Sequence, residues 1–166
     1  ILFISGKQGI GKTYLSNYIY NHYNIKCSQI NTDNLKDPNI QEKIKKTIFT
    51  KNIFMMMDKE NKKGFLIDDL NTFKSYDKKN HNLIIKLLKE TVSFECKIIV
   101  CVDDEYDVLK IKKENEFYKI NINYSNDICK NIIQTKVTYD LSDKHTCHLL
   151  RLNNKNISKV ISEISF

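Results

Sequence analysis

Arginine is almost missing from this chain: Arg151 is the sole example among 27 basic residues, while asparagine occurs 19 times. Abundant Lys, Asn and Ile with scarce Arg and a single proline is what an AT-rich coding sequence yields. The formal net charge of +7 therefore gives only modest support to contact with phosphate-rich partners. No apolar run approaches the ~18 residues of a membrane span, and no membrane partner is expected. No C-x-x-C pair exists among the five cysteines, Cys27, Cys96, Cys101, Cys129 and Cys147. An odd number set mostly in apolar stretches excludes a disulfide framework and fits reduced packing cysteines of an intracellular protein. There is no internal repeat, no Pro/Gly/Ser linker and no signal peptide. The chain opens without Met on a strand-like run, which reads as a piece of something longer.

What remains is an ordinary globular balance, 41% hydrophobic and 28% charged over 166 residues, enough to bury a core without staples. Apolar runs at residues 1–4, 64–67 and 98–102 predict strands buried on both faces, as in a parallel sheet. Weaker strands are predicted at 25–30 and 117–122. Helical spacing lies between them: Leu15, Tyr18, Ile19 and His22; Ile40, Ile44 and Ile48 after Asp37-Pro38, a cap with proline at the first helical position; and Leu83, Ile84, Leu87 and Leu88. Alternating strands and helices predict an α/β domain over residues 1–123. From 124 to 166 the pattern turns helical, with Ile128, Ile132 and Ile133 and then Ile157, Val160, Ile161 and Ile164, which predicts a small helical lid. Residues 58–63 and 75–80 read as exposed loops.

Three of the four glycines fall in one motif, Gly6-Lys7-Gln8-Gly9-Ile10-Gly11-Lys12-Thr13, which fits G-x-x-x-x-G-K-[ST] between a predicted strand and a predicted helix. The glycines let successive N–H groups converge on phosphate oxygens, and the helix starting near Lys12 adds its positive end. Lys12 would reach the β- and γ-phosphates, and the Thr13 hydroxyl would ligate Mg²⁺. The phosphate-binding set is thus residues Gly6 to Thr13 together with Tyr14. A metal-organising acid follows at the end of the next apolar strand: Asp68 for Mg²⁺, with Asp69 as general base or orienter of the attacking water. Asp103, after residues 98–102, could touch the γ-phosphate or the water, and equally fits a cap on a helix starting near Glu105.

These elements in this order resemble the AAA+ ATPases over nearly the whole chain. Within that superfamily the chain is most similar to the clamp-loader branch, the replication factor C large subunit and related ATPases of giant DNA viruses. Its second strand ends in Ile30-Asn31-Thr32-Asp33, similar to the "N-A-S-D" turn of that branch. The bacterial initiator and helicase-loader branch is the rival, since it carries Asp-Asp where clamp loaders carry Asp-Glu and an aspartate at the third strand tip. The resemblance implies a P-loop NTPase three-layer fold with a five-stranded parallel sheet of order 5-1-4-3-2 and a helical lid. It further implies ATP and Mg²⁺ as cofactors, catalytic roles for Lys12, Asp69 and Asp103, and metal ligation by Thr13 and Asp68. Partner AAA+ subunits in a hetero-oligomer, DNA and a sliding clamp, in the nucleus or at a viral replication site, follow from the same resemblance.

Departures bear on turnover. Asp69 is one methylene shorter than the usual glutamate, Asp103 places a charge where Asn or Thr is usual, and Asn156-Ile157-Ser158 puts serine at the lid's arginine position. No arginine precedes Arg151, so the core can donate no arginine finger, a group worth ~10³–10⁵ in rate. Hydrolysis is expected to be weak without a partner. A nucleotide kinase is disfavoured because such enzymes use several lid arginines, and a GTPase because no N-K-x-D occurs. An ATP-binding structural subunit stays open. His145-Thr-Cys147-His148 fits no zinc spacing, residues 55–57 (three Met) read as core filling, and Lys43, Lys45, Lys46 and Lys51 read as a solvated helix face or a DNA-facing stripe.

Overall fold

The computed structural model describes residues 1–31, 34, 39–49, 62–76, 78–90, 96–103, 118–136, 142–153 and 156–164. Five strands form one sheet: β1 (Leu2–Gly6), β2 (Ile25–Ile30), β3 (Lys62–Ile67), β4 (Lys97–Val102) and β5 (Tyr118–Ile122). Every pairing is parallel. The order is β2-β3-β4-β1-β5; counted from the β5 edge it runs 5-1-4-3-2. The α/β class predicted from alternating patterns is the observed one.

The side-chain period of two separates the faces of this sheet. Phe3, Phe65, Ile67, Ile98, Val100 and Val102 share a core with Ile40, Ile44 and Ile48 of α2 (Ile40–Phe49). Leu70 and Phe73 of α3 (Leu70–Tyr76) and Ile84, Leu87 and Leu88 of α4 (Lys78–Glu90) complete that layer. Residues one position along, Ile4, Leu66, Ile99 and Cys101, face the opposite way and pack with Ile10 and with Tyr20 of α1 (Lys12–His22). The three stripe isoleucines of α2 are buried, each worth roughly 1.5–3 kcal/mol of transfer free energy.

Tyr20 explains the glycine outside the turn. Its ring lies over Gly64, where a Cβ would come within 2.5 Å of Tyr20 Cε1. Its hydroxyl lies 2.9 Å from Phe65 O and 3.0 Å from Lys97 O, and accepts the Ile99 N–H at 3.0 Å. One buried phenol thus bridges the backbones of β3 and β4. Burial drives its pKa well above the ordinary range.

Beyond β5, α5 (Asn126–Lys136), α6 (Asp143–Leu152) and α7 (Ile157–Ile164) close over their own core of Cys129, Ile133, Leu150, Ile157 and Val160. The predicted helical character of this segment is observed.

Residues 75–80 correct the loop expectation: α3 continues to Tyr76 and α4 starts at Lys78. Ser75, Tyr76, Lys78 and Lys79 are exposed as expected, but they lie on helices, and Asn80 is buried; exposed polar helix ends carry no apolar periodicity. Lys62 and Lys63, also expected in a loop, begin β3. Neither α3 nor α6 was expected from spacing. Thr32, Asp33, Asp37, Pro38, Lys51, residues 55–61, Glu105 and Phe117 lie outside the described residues. No helix among the described residues is long and apolar enough to cross a membrane.

Candidate functional site

β1 ends at Gly6 and α1 begins at Lys12, so the chain reverses through residues 7–11. Gly9 takes φ 72° and Gly11, the residue capping α1, φ 98°; both are left-handed values that side chains disfavour. Ile10, between them, is buried in the α1-side core and anchors the turn. The first N–H groups of α1 have no partner within the helix, and Lys12, Thr13 and Tyr14 line a cavity of about 440 Å³ there.

Thr13 Oγ1 donates to both oxygens of Asp68, at 2.9 and 3.1 Å. Gln29 Nε2, on β2, donates to Asp68 Oδ2 at 3.4 Å. The Lys12 ammonium donates to Gly6 O at 2.6 Å, Lys7 O at 3.1 Å and Asp103 Oδ1 at 3.3 Å. Beneath the helix, Ser16 Oγ donates to Lys12 O at 2.9 Å and lies 3.4 Å from Cys101 Sγ. Burial pushes the Cys101 thiol up to about 12 despite the lowering influence of Ser16, so this sulfur is a packing group rather than a nucleophile.

Asp69 stands just before α3 with φ 58°, an uncommon conformation for a residue with a side chain. Its carboxylate accepts the hydroxyl of Thr72, and its carbonyl accepts the Thr72 N–H at 3.1 Å. One residue earlier in α3, Asn71 Oδ1 accepts the Asp103 N–H at 2.9 Å. The first turn of α3 therefore fixes both later acids, one by its side chain and one by its backbone. At the tip of β2, Asn31 Oδ1 is buried with no hydrogen-bond partner among the described residues.

The helical segment reaches the same turn. Asn156 caps α7, its Oδ1 accepting the Lys159 N–H at 3.0 Å. A Cβ on Gly9 would fall 1.8 Å from that oxygen. Ser158 donates to Gly9 O through both its N–H and its hydroxyl, each at 3.4 Å.

The cavity lining is Gln8, Gly9, Gly11, Lys12, Thr13, Tyr14, Asp68, Asp69, Thr72, Asp103 and Ser158. Residues from four distant stretches of sequence are thus brought together: the glycine turn with α1, the end of β3 with the start of α3, the tip of β4, and Ser158 of α7. Gly6, Lys7 and Ile10 do not line it. Gly6 is packed between Ile10 and Ile122, Ile10 points into the core, and Lys7 faces solvent; the first two shape the turn, and Gly6 and Lys7 offer carbonyls to Lys12. Gln29, Asn71 and Thr72 were not anticipated from the sequence. The one signal for Thr72 is its place three residues after Asp69, the spacing of a helix cap and its partner.

The volume suits a small ligand. Oxygen donors on Thr13 and Asp68, held together beside one basic side chain, fit a hard divalent cation that keeps other oxygens from a ligand or water. No group of three or more His, Cys, Asp or Glu side chains converges as a metal cage among the described residues. Cys147 is half-buried on α6 and His148 exposed, while the His145 side chain lies outside the description. Lys43, Lys45 and Lys46 are exposed on α2, and Arg151 on α6. No protein-family model and no curated protein matches the chain.

Proposed function

We propose that the chain is an ATP-binding, ATP-hydrolysing AAA+ module of a DNA-replication assembly factor of the clamp-loader kind, with a P-loop NTPase fold. The observation that carries this reading is the Thr13–Asp68 pair at 2.9 and 3.1 Å inside a cavity that also holds Lys12. A hydroxyl at the start of a helix and a carboxylate at the end of a strand meet here across a third strand. The resemblance leads one to expect that meeting around Mg²⁺.

In this reading the turn through Gly9 and Gly11 presents N–H groups to phosphate oxygens, and the start of α1 adds its positive end. Lys12 binds the outer phosphates by exchanging Asp103 Oδ1, the most distant of its three acceptors, for phosphate oxygen. Thr13 and Asp68 hold Mg²⁺, which supplies charge neutralisation for the phosphates when bound. Asp69, oriented by Thr72, takes the proton of the attacking water. Ser158 brings α7 to the phosphate end of the site, so nucleotide and lid are in contact through the Gly9 turn. The Asp68-Asp69 and Asp103 pattern also suits an initiator or helicase-loader protein, which shares the chemistry and differs in partners.

A second reading, an ATP-binding subunit with weak hydrolysis, is favoured by one observation: Asp69 is already engaged by Thr72. Single-turnover phosphate release, measured with and without primer-template DNA, separates the two. Thr72→Ala lowers kcat by about tenfold or more with little change in KM if Thr72 orients a working base, and Thr72→Ser retains activity. A basal rate already at the uncatalysed level, unmoved by Asp69→Asn, establishes the silent subunit instead.

A further inference from the structure

A lysine ammonium has three hydrogens, and in Lys12 three acceptors take them: Gly6 O, Lys7 O and Asp103 Oδ1. Two of these are neutral carbonyls of its own turn. Asp103 is the charged partner, at 3.3 Å, with the Lys12 side chain 10% exposed and that of Asp103 43%. Asp103 is held in place from behind, because its N–H is tied to Asn71 of α3. That bond fixes the Asp103 backbone at the cavity wall, so its carboxylate can move only by side-chain rotation.

The charges lining the cavity are unequal. Among the described residues Lys12 is its one cationic side chain, against Asp68, Asp69 and Asp103. A bare phosphate chain entering there meets a net negative field, which the loop amides and the helix start offset only in part. To reach Lys12 it must also take a hydrogen from an acceptor, and the longest of those bonds is the one to Asp103. Once displaced, that carboxylate stays beside the polyanion with no counter-charge unless a cation arrives with the ligand.

Building on the nucleotide reading above, we infer that Asp103 is a charge gate that makes this site select the divalent-metal complex of a nucleoside triphosphate over the free nucleotide. The gate is a specificity device and stands apart from any role in hydrolysis. An uncharged residue at the same place leaves Lys12 available to phosphate with or without metal. A glutamate keeps the charge and keeps the selection.

The test is equilibrium binding of a fluorescent methylanthraniloyl-ATP to the full chain, in Mg²⁺ and in EDTA, for the native protein, Asp103→Asn, Asp103→Ser and Asp103→Glu, with melting curves confirming that each is folded. The native protein is expected to bind at least about tenfold more weakly in EDTA. In Asp103→Asn and Asp103→Ser the gap narrows by at least about threefold because metal-free binding tightens, leaving the share that Mg²⁺ at Thr13 and Asp68 supplies, and in Asp103→Glu it persists in full. A native protein indifferent to Mg²⁺, or neutral variants with an unchanged gap, overturns the gate while leaving nucleotide binding intact. A native protein that binds in neither condition overturns the nucleotide reading and the gate with it.

Discussion

The Thr13 hydroxyl bonds both oxygens of Asp68, although 55 positions separate the two residues and β4 lies between their strands. The pairing is possible because parallel strands end at one edge, where β1 delivers the start of α1 and β3 delivers its carboxylate. Asp68→Asn keeps the size of the side chain and weakens its charge-assisted bonds. Stability is expected to fall by about 1 kcal/mol in urea titration. Nucleotide affinity in Mg²⁺ is expected to drop about tenfold or more, toward the value in EDTA.

Tyr20 and Gly64 form a second coupled pair. Tyr20→Phe removes the acceptor of the buried Ile99 N–H and the donor shared by Phe65 O and Lys97 O. An unsatisfied buried donor costs about 1–3 kcal/mol. Gly64→Ala drives a methyl into the same ring, with an overpacking cost of about 1–3 kcal/mol. Denaturant unfolding of both single variants and the double is expected to show non-additive losses, because the methyl displaces the ring whose hydroxyl makes those bonds.

Gly9 is constrained twice, by its φ of 72° and by Asn156 Oδ1. Gly9→Ala is therefore expected to loosen α7 as well as strain the turn. Hydrogen exchange read by mass spectrometry is expected to show faster exchange in residues 157–164, while the β-sheet stays protected. Adding Asn156→Ala to Gly9→Ala is expected to cost less than the sum of the two single losses, because it removes the clash while losing the α7 cap and leaving the backbone strain.

Three thiols, together with Tyr20, contribute to a loss of stability at high pH. Burial lifts Cys27 to about 11, Cys96 to about 11 and Cys101 to about 12, from an ordinary 9.0. In each case the folded pKa is the higher one, so the stabilisation is complete below pH 9 and is lost as pH rises toward 11–12. Urea midpoints are expected to hold steady up to about pH 9 and then decline. Replacing Cys101 by Ala lowers stability at neutral pH and flattens part of that decline. At pH 8 the native protein is expected to react slowly with iodoacetamide at Cys101, and rapidly after unfolding.

The three inner strands β1, β3 and β4 were legible because they are largely buried on both faces and read as unbroken apolar runs, whereas the edge strands β2 and β5, mostly exposed, left only weaker signals. Phe65–Ile67 and Ile98–Val102 betray themselves through hydrophobicity alone. The start of α3 does not: its cap is an aspartate in a left-handed conformation, and its working residues Asn71 and Thr72 are common surface types. Asn80 and His81 were hidden for the opposite reason, polar residues occupying buried positions of α4. In the site, Lys12, Thr13, Asp68, Asp69 and Asp103 were marked by a motif or by a place after a strand. Gln29, Asn71 and Thr72 matter only through contacts with those residues, which no local pattern encodes. The contact of Asn156 with Gly9 spans nearly the whole chain, so the seat of α7 on the turn is visible only in three dimensions.

Isothermal titration of the native chain with ATP in the presence of Mg²⁺, beside Lys12→Ala, tests the central claim most directly. The account predicts one saturable site in the native protein and a loss of at least about a hundredfold in affinity on removing the ammonium, in a variant that melts as a folded protein. No heat of binding from native protein, or equal affinity in the two, contradicts it.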